Sequence, residues 1–385
     1  MQQQYFLSSR FLLTRLLTGA IAIGAISAMS TNALAIESHL PTVTAIPATV
    51  VEGDTFSLLL TGTSPDGCGL ARDSIKVSGD EITVVFIRAG GALGICTQAL
   101  MPFSFPITLF EAGAVAKAGT YKIRIELAPI ERNSQTVNKL LAFALVPVTP
   151  VGKRAILPET GQWSYEAGGT YATSGSGVGF NIERQGQTIV NISTLYGSEG
   201  SPEWYINSGK LVANTLHSEL FSVKGGQSLF GAYKPVKEVQ YSGNVHLEFN
   251  SPAHGTAWYT QPIDEGLLSG LKLMPISITR FNFGFGSGAG ALSTRWALVG
   301  EGASTIESKA LILTHAANAS NTVWNYVSGE FRLNCDLYTA RPVLLPKSCS
   351  LTKNGVNLAQ FDQIGYSRMR GLDAAGQSVS MFRLD

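Results

Sequence analysis

Across residues 239–250 the chain alternates apolar and polar positions. Val239, Tyr241, Val245, Leu247 and Phe249 fall on one parity, and Gln240, Ser242, Asn244, His246, Glu248 and Asn250 on the other. A period of two marks a β-strand with one face turned to a core, and the reading here is an alternation without a slip. Residues 121–127 repeat the pattern, with Lys122, Arg124 and Glu126 on the wet face. Shorter runs at 56–60, 75–77, 82–87 and 141–146 are cut off by turn-forming clusters such as Pro65-Asp66-Gly67 and Ser78-Gly79-Asp80. Seven or so such strands in about 110 residues predict a β-sandwich.

Residues 147–158 carry three prolines with Gly152, Lys153 and Arg154, the composition of a linker. Beyond it the chain becomes rich in glycine and aromatics, with Gly161-Gln162-Trp163, Trp204-Tyr205 and Trp258-Tyr259. Strands joined by Gly186, Gly200, Gly209 and Gly225-Gly226 predict an antiparallel meander or barrel ending near residue 283. In the last hundred residues, 323–333 read as one strand running into Cys335, and a terminal hairpin is expected around residues 373–376.

Composition agrees with this β-rich picture: charged residues make up 14% of the chain against 41 glycines. Twenty-eight Lys and Arg are spread among 27 Asp and Glu without a basic stripe, so a nucleic-acid surface is not expected. The first residues read as a secretory signal peptide: Arg10 and Arg15, an apolar run over 16–29, then Ala33-Leu34-Ala35. Thr18, Gly19, Gly24, Ser27 and Ser30 thin the run and argue against a membrane anchor. The mature chain is expected to begin near Ile36, exported to the periplasm, cell surface or medium, without a transmembrane helix.

Export makes disulfides the default for the four cysteines. Four cysteines allow three connectivities. Position pairs Cys68 with Cys96 across 27 intervening residues, and Cys335 with Cys349 across 13.

Several local motifs resemble a known combination. Pro65-Asp66-Gly67-Cys68, Cys96-Thr97-Gln98 and Ala118-Gly119-Thr120-Tyr121 are similar to the Cys-paired immunoglobulin-like domain of uncharacterised secreted proteobacterial proteins. Gly161-Gln162-Trp163, the run over 195–205, Gly255-Thr256-Ala257-Trp258-Tyr259 and Ile278-Thr279-Arg280 resemble the Gly/Trp-rich β-module that often follows it. The resemblance spans residues 50–283 and supplies no catalytic residues. The expected fold class is therefore all-β: an N-terminal immunoglobulin-like β-sandwich (36–148), a linker (149–160), an antiparallel β-barrel or meander (161–283) and a small disulfide-bridged β region (291–385).

Residues that bear chemistry are sparse. His39, His217, His246, His254 and His315 share no metal-ligand spacing, though a hairpin would bring His246 and His254 together. No Gly-x-Ser-x-Gly elbow occurs, and Ser176 and Ser287 sit in Gly-Ser-Gly turns or links. Asp264 and Glu265 form a carboxylate pair of the kind used on glycosidic bonds, within turn chemistry. The Gly-rich run 284–289 lacks the βαβ setting a dinucleotide requires. No catalytic residue, metal or cofactor is assigned.

The aromatics are the best lead. In extended strands Trp204 and Tyr205 point to opposite faces, as do Trp258 and Tyr259, so one of each pair leaves the core. Such rings stack on sugars or hold apolar ligands at a barrel mouth, or else pack between domains. The candidate ligand-binding residues are Trp204, Tyr205, Trp258, Tyr259, His246 and His254. The expected function is an exported, non-enzymatic binding or surface-structural protein whose partner is a glycan, an envelope component or another protein. The alternative is a hydrolase of an envelope or extracellular polymer drawing on His246, His254, Asp264 or Glu265.

Overall fold

The structure is a computed structural model that describes residues 41–64, 67–89, 101–109, 114–129, 137–152, 154–166, 178–197, 199–263, 270–286, 288–316, 322–338 and 345–385. Among these, the first eight strands are β1 (Thr42–Ile46), β2 (Val50–Val51), β3 (Ser57–Ser64), β4 (Leu70–Ser78), β5 (Glu81–Arg88), β6 (Met101–Thr108), β7 (Gly119–Leu127) and β8 (Lys139–Thr149). They form a three-stranded sheet, β1-β3-β6, and a five-stranded sheet, β2-β8-β7-β5-β4. Pairing is antiparallel except between β5 and β7 and between β2 and β8. The predicted alternation supplies the core: Leu58 and Leu60 of one sheet pack with Ile82, Val84, Ile123 and Ile125 of the other. Each such side chain stabilises by about 1.5–3 kcal/mol relative to exposure.

The next eight strands close on themselves: β9 (Gly161–Tyr165), β10 (Gly179–Gln185), β11 (Thr188–Tyr196), β12 (Pro202–Val212), β13 (Thr215–Lys224), β14 (Glu238–Ser251), β15 (His254–Pro262) and β16 (Leu271–Arg280). Each pairs antiparallel with its successor, and β16 returns to β9. That seam is short, and Arg280 clamps it by donating from Nε to the Thr160 carbonyl and from Nη1 to the Gln162 carbonyl, each at 2.9 Å. Closure removes the exposed edges an open sheet would carry.

Along β14 the expected unbroken alternation fails at one point. Leu220 stands opposite Gly243, but Phe221 stands opposite Tyr241, so Ser242 is an extra residue and the strand bulges. Val245, Leu247 and Phe249 face the core as predicted, whereas Val239 and Tyr241 turn to the outer face and Gln240 takes the inward parity opposite Ser222. Gly243 permits this: its φ is +135°, and a Cβ there would lie 2.1 Å from the Thr260 carbonyl oxygen.

The remaining strands are β17 (Arg295–Gly300), β18 (Lys309–Ile312), β19 (Thr314–Ala316), β20 (Val323–Ser328), β21 (Phe331–Asp336), β22 (Ser348–Lys353), β23 (Val356–Ile364), β24 (Arg368–Asp373) and β25 (Ser378–Arg383). They make a nine-stranded sheet in the order β18-β17-β25-β24-β23-β22-β21-β20-β19. Its two edges, β18 and β19, are separated in the chain by Leu313 alone, so the sheet curls into a nearly closed barrel. The Ile312 amide reaches the Ser328 hydroxyl across the gap at 3.0 Å. The single strand expected over 323–333 is instead the β20–β21 hairpin, turned at Gly329 with φ +59°. Cys335 and Cys349 stand opposite each other on β21 and β22 and are disulfide-bonded. Cys68 is also disulfide-bonded; its predicted partner, Cys96, lies outside the described residues.

The predicted linker is strapped down rather than free. Arg154 donates to the Gly371 carbonyl at 2.5 Å and to Ser378 Oγ at 3.1 Å. Glu159 Oε1 accepts from the Ser367 amide and hydroxyl at 2.7 and 2.6 Å.

Candidate functional site

The two ends of the first barrel are built differently. Near the linker, Trp163 packs on Phe180 and Phe249 with ring centroids 6.1 and 5.6 Å apart, and its indole N–H donates to the Glu159 carbonyl at 3.0 Å. Leu211 and Leu216 complete that plug. At the opposite end, where β11, β13 and β15 finish and β12, β14 and β16 begin, the interior opens into a cavity of about 930 Å³. That volume is of the size that holds a small organic ligand.

Tyrosines dominate its wall. Tyr165 and Tyr259 share a hydrogen bond of 2.7 Å between their hydroxyls. Tyr205 points inward from β12 and donates its hydroxyl to Glu203. Burial, then the hydrogen bond and charge of Glu203, push the Tyr205 phenol up to about 12, so it remains a protonated donor at neutral pH. Gln240, brought inward by the β14 bulge, and Lys272 line the same cavity. The site thus offers aromatic faces together with neutral and charged donors and acceptors.

One inward step deeper lies a polar layer that sequence reading missed. Ser193 stands opposite Tyr205, and Asn191 opposite Asn207, all on the inner face of β11 and β12, and Asn191, Ser193 and Asn207 are buried. The matching outward positions, Val190, Ile192 and Ile206, are apolar and exposed. Parity alone assigns the apolar set to the core. Only the pairing of these strands with their neighbours shows that this part of the barrel is polar inside.

The predicted residues divide among four places. Tyr205 and Tyr259 line the cavity. Trp204 stands on the outer wall, 59% exposed. Trp258 also faces outward, but the sandwich covers it: Phe143 of β8 lies 5.3 Å from its ring and Lys122 Nζ 5.9 Å. His246 belongs to that same contact, 5.1 Å from Phe143 and stacked at 4.4 Å on His217. His254 is not its neighbour; it pairs with Ser251 and Thr279, with Nδ1 at 3.4 Å from Ser251 Oγ. The β14–β15 hairpin puts Trp258, not His254, opposite His246. His246 therefore neither lines a cavity nor meets bulk water. His39, Ser176, Asp264, Glu265 and Ser287 lie outside the described residues. No group of three or more metal-ligating side chains occurs among the described residues.

Among the described residues the molecule is two barrels beside a β-sandwich, the first with a tyrosine-lined cavity at one end. Residues 58–138, within the sandwich, match the ORF11 β-sandwich domain. Among curated proteins none matches the chain.

Proposed function

We propose that this is an exported binding protein that holds a glycan or a similar envelope component in the open end of its first barrel. The observation that carries the proposal is the cavity itself, walled by Tyr165, Tyr205 and Tyr259 and opening away from the apolar plug. Tyrosine rings offer flat apolar faces to the C–H faces of a sugar, and their hydroxyls meet its polar edge. The leader and the disulfides support an oxidising destination, and the immunoglobulin-like reading of the sandwich fits a spacer that presents the barrel. Binding is favoured over hydrolysis because His246 and His254 stand away from the cavity, and among the described residues Glu203 is the one carboxylate lining it. Acid and base pairs for glycosidic cleavage need two carboxylates at a set distance.

The test is a screen of the protein recovered after export against a glycan array and purified envelope polysaccharides. Retention that drops about tenfold or more in Tyr205→Ala and Tyr259→Ala proteins, and persists in Trp204→Ala, supports the proposal. Retention indifferent to both tyrosines, or product released by turnover, would sink it.

A further inference from the structure

We infer that the loop joining β13 to β14, residues 225–237, is a docking wedge for an anionic phospholipid surface, met at the same end of the first barrel as the cavity. The inference goes beyond the sugar reading and does not rest on it, because it uses none of the cavity's tyrosines.

Leu229, Phe230 and Tyr233 are 87, 98 and 80% exposed, and Val236 is exposed beside them. Single exposed apolar side chains are ordinary on a protein surface, but these share one short connection. The loop holds them out by its own hydrogen bonds. The Gly231 amide donates to the Ser228 carbonyl at 3.0 Å, closing a turn with Leu229 and Phe230 at its two central positions. Gln227 Nε2 donates to the Gly231 carbonyl at 3.0 Å and braces that turn. Turn centres ordinarily carry Gly, Pro, Asn, Asp or Ser. Packing within the fold does not account for two bulky apolar residues there, since neither side chain is covered.

The surrounding charge narrows the partner. From 220 to 237 the chain holds Lys224, Lys234 and Lys237 and no acidic residue. All three lysines are exposed, and none forms an ion pair among the described residues. Glu238, the first acidic residue after the loop, stands opposite Lys224 in the register. The Lys237 amide donates to the Lys224 carbonyl at 3.1 Å, so these two lysines stand together at the neck. From tip to neck the order is Leu229 and Phe230, then Tyr233 and Lys234, then Lys224 and Lys237. A bilayer interface takes the same order: apolar groups toward the acyl chains, tyrosine at headgroup level, and ammonium groups against lipid phosphates. Two apolar side chains on a turn are few for a stable protein interface, which takes about 800 Å² from each partner. Lipid needs no matching surface. Tyr196 ends β11 and Ile263 follows β15, and both add exposed apolar area at this end.

Sedimentation with vesicles tests this on the protein recovered after export. One vesicle set is equal parts phosphatidylethanolamine and phosphatidylglycerol, and the other is phosphatidylcholine alone. The wild type should partition to the anionic set about tenfold more strongly. Leu229→Ser/Phe230→Ser should lose about tenfold or more on that set, with Tm unchanged because both side chains are uncovered. Lys234→Gln/Lys237→Gln should also lose about tenfold there at low salt, and should match the wild type at high salt. Phe283→Ser, which removes an exposed ring beyond the plugged end, should leave both sets unchanged. If the double serine variant does not fold, Phe230→Trp decides. Quenching of its added indole by brominated acyl chains supports insertion, and fluorescence quenched no more than the wild type's rejects it. No sedimentation with the anionic set, equal sedimentation with both sets, or binding unchanged in the serine variant would overturn the inference. A wild-type dimer that the serine variant converts to monomer, with vesicle binding retained, would also overturn it and assign the loop to a second copy of the chain.

Discussion

His246 is held neutral by two things: burial between the sandwich and the barrel, and the neighbouring imidazole of His217, which together push its pKa well below the usual 6.5. Burial lowers His217 as well. Below about pH 6.5 the unfolded chain takes up a proton on His246 that the folded chain refuses, so its stabilisation is present above that pH and lost as pH falls. Glu248, on the same outer face, works the other way, because burial raises its pKa. Its contribution is complete below 4.5 and is lost as pH rises past that value. Lys122 and Asp80, bonded at 2.5 Å, also act on Glu248 at this contact. The unfolding free energy from urea titrations should therefore fall between pH 7.5 and pH 6, by up to about 1 kcal/mol, and His246→Phe should flatten the slope while keeping a ring against Phe143. A free energy that holds steady across this range would contradict the assignment. The tryptophans make a second residue-scale comparison. Trp163, fully buried in the plug, should cost about 3–5 kcal/mol on Trp163→Ala. Exposed Trp204 should cost less than about 0.5 kcal/mol on Trp204→Ala in the same urea titrations.

At the scale of elements, parity located most of the strands but not the points where parity breaks. The segments read at 82–87, 121–127 and 141–146 appear within β5, β7 and β8. The bulge in β14 was hidden because Gly243 in a strand pattern carries no hydrophobic signal, and its role depends on how closely Thr260 approaches from β15. The β20–β21 turn was hidden for a related reason: Ser328-Gly329-Glu330 interrupts an otherwise continuous apolar alternation by a two-residue reversal. These glycines predict different penalties. Gly243→Ala meets a backbone oxygen in a left-handed conformation and should cost at least about 2 kcal/mol. Gly329→Ala, with open space around it and only the φ of +59° to pay, should cost about 1 kcal/mol. Equal losses in chemical denaturation would mean that the close approach to Thr260 is not what fixes the bulge.

At the scale of the whole molecule, the all-β class and the order of sandwich then barrel were legible, because each follows from local alternation and turn chemistry. The nearly closed second barrel was less so: its closure relies on β18 and β19 splitting around Leu313, which pairing between distant strands decides. Part of the candidate site was legible. Tyr205 and Tyr259 could be singled out as rings that must choose a face, but which face depended on the β11–β12 and β14–β15 pairings. Asn191, Ser193 and Asn207 gave no signal, since polar residues at alternate positions read as a wet outer surface. The resulting arrangement is directional. The sandwich covers one outer wall through Phe143, His246 and Trp258, the linker is strapped to β23–β25 beside the plugged end, and the tyrosine-lined cavity lies at the other end. The most direct check on that account is a crystal structure of the exported protein grown with the best-retained sugar from the array. The sugar should lie inside the first barrel, against Tyr205 and Tyr259. Sugar bound at Trp204 on the outer wall, or on the second barrel with the first left without it, would contradict the account.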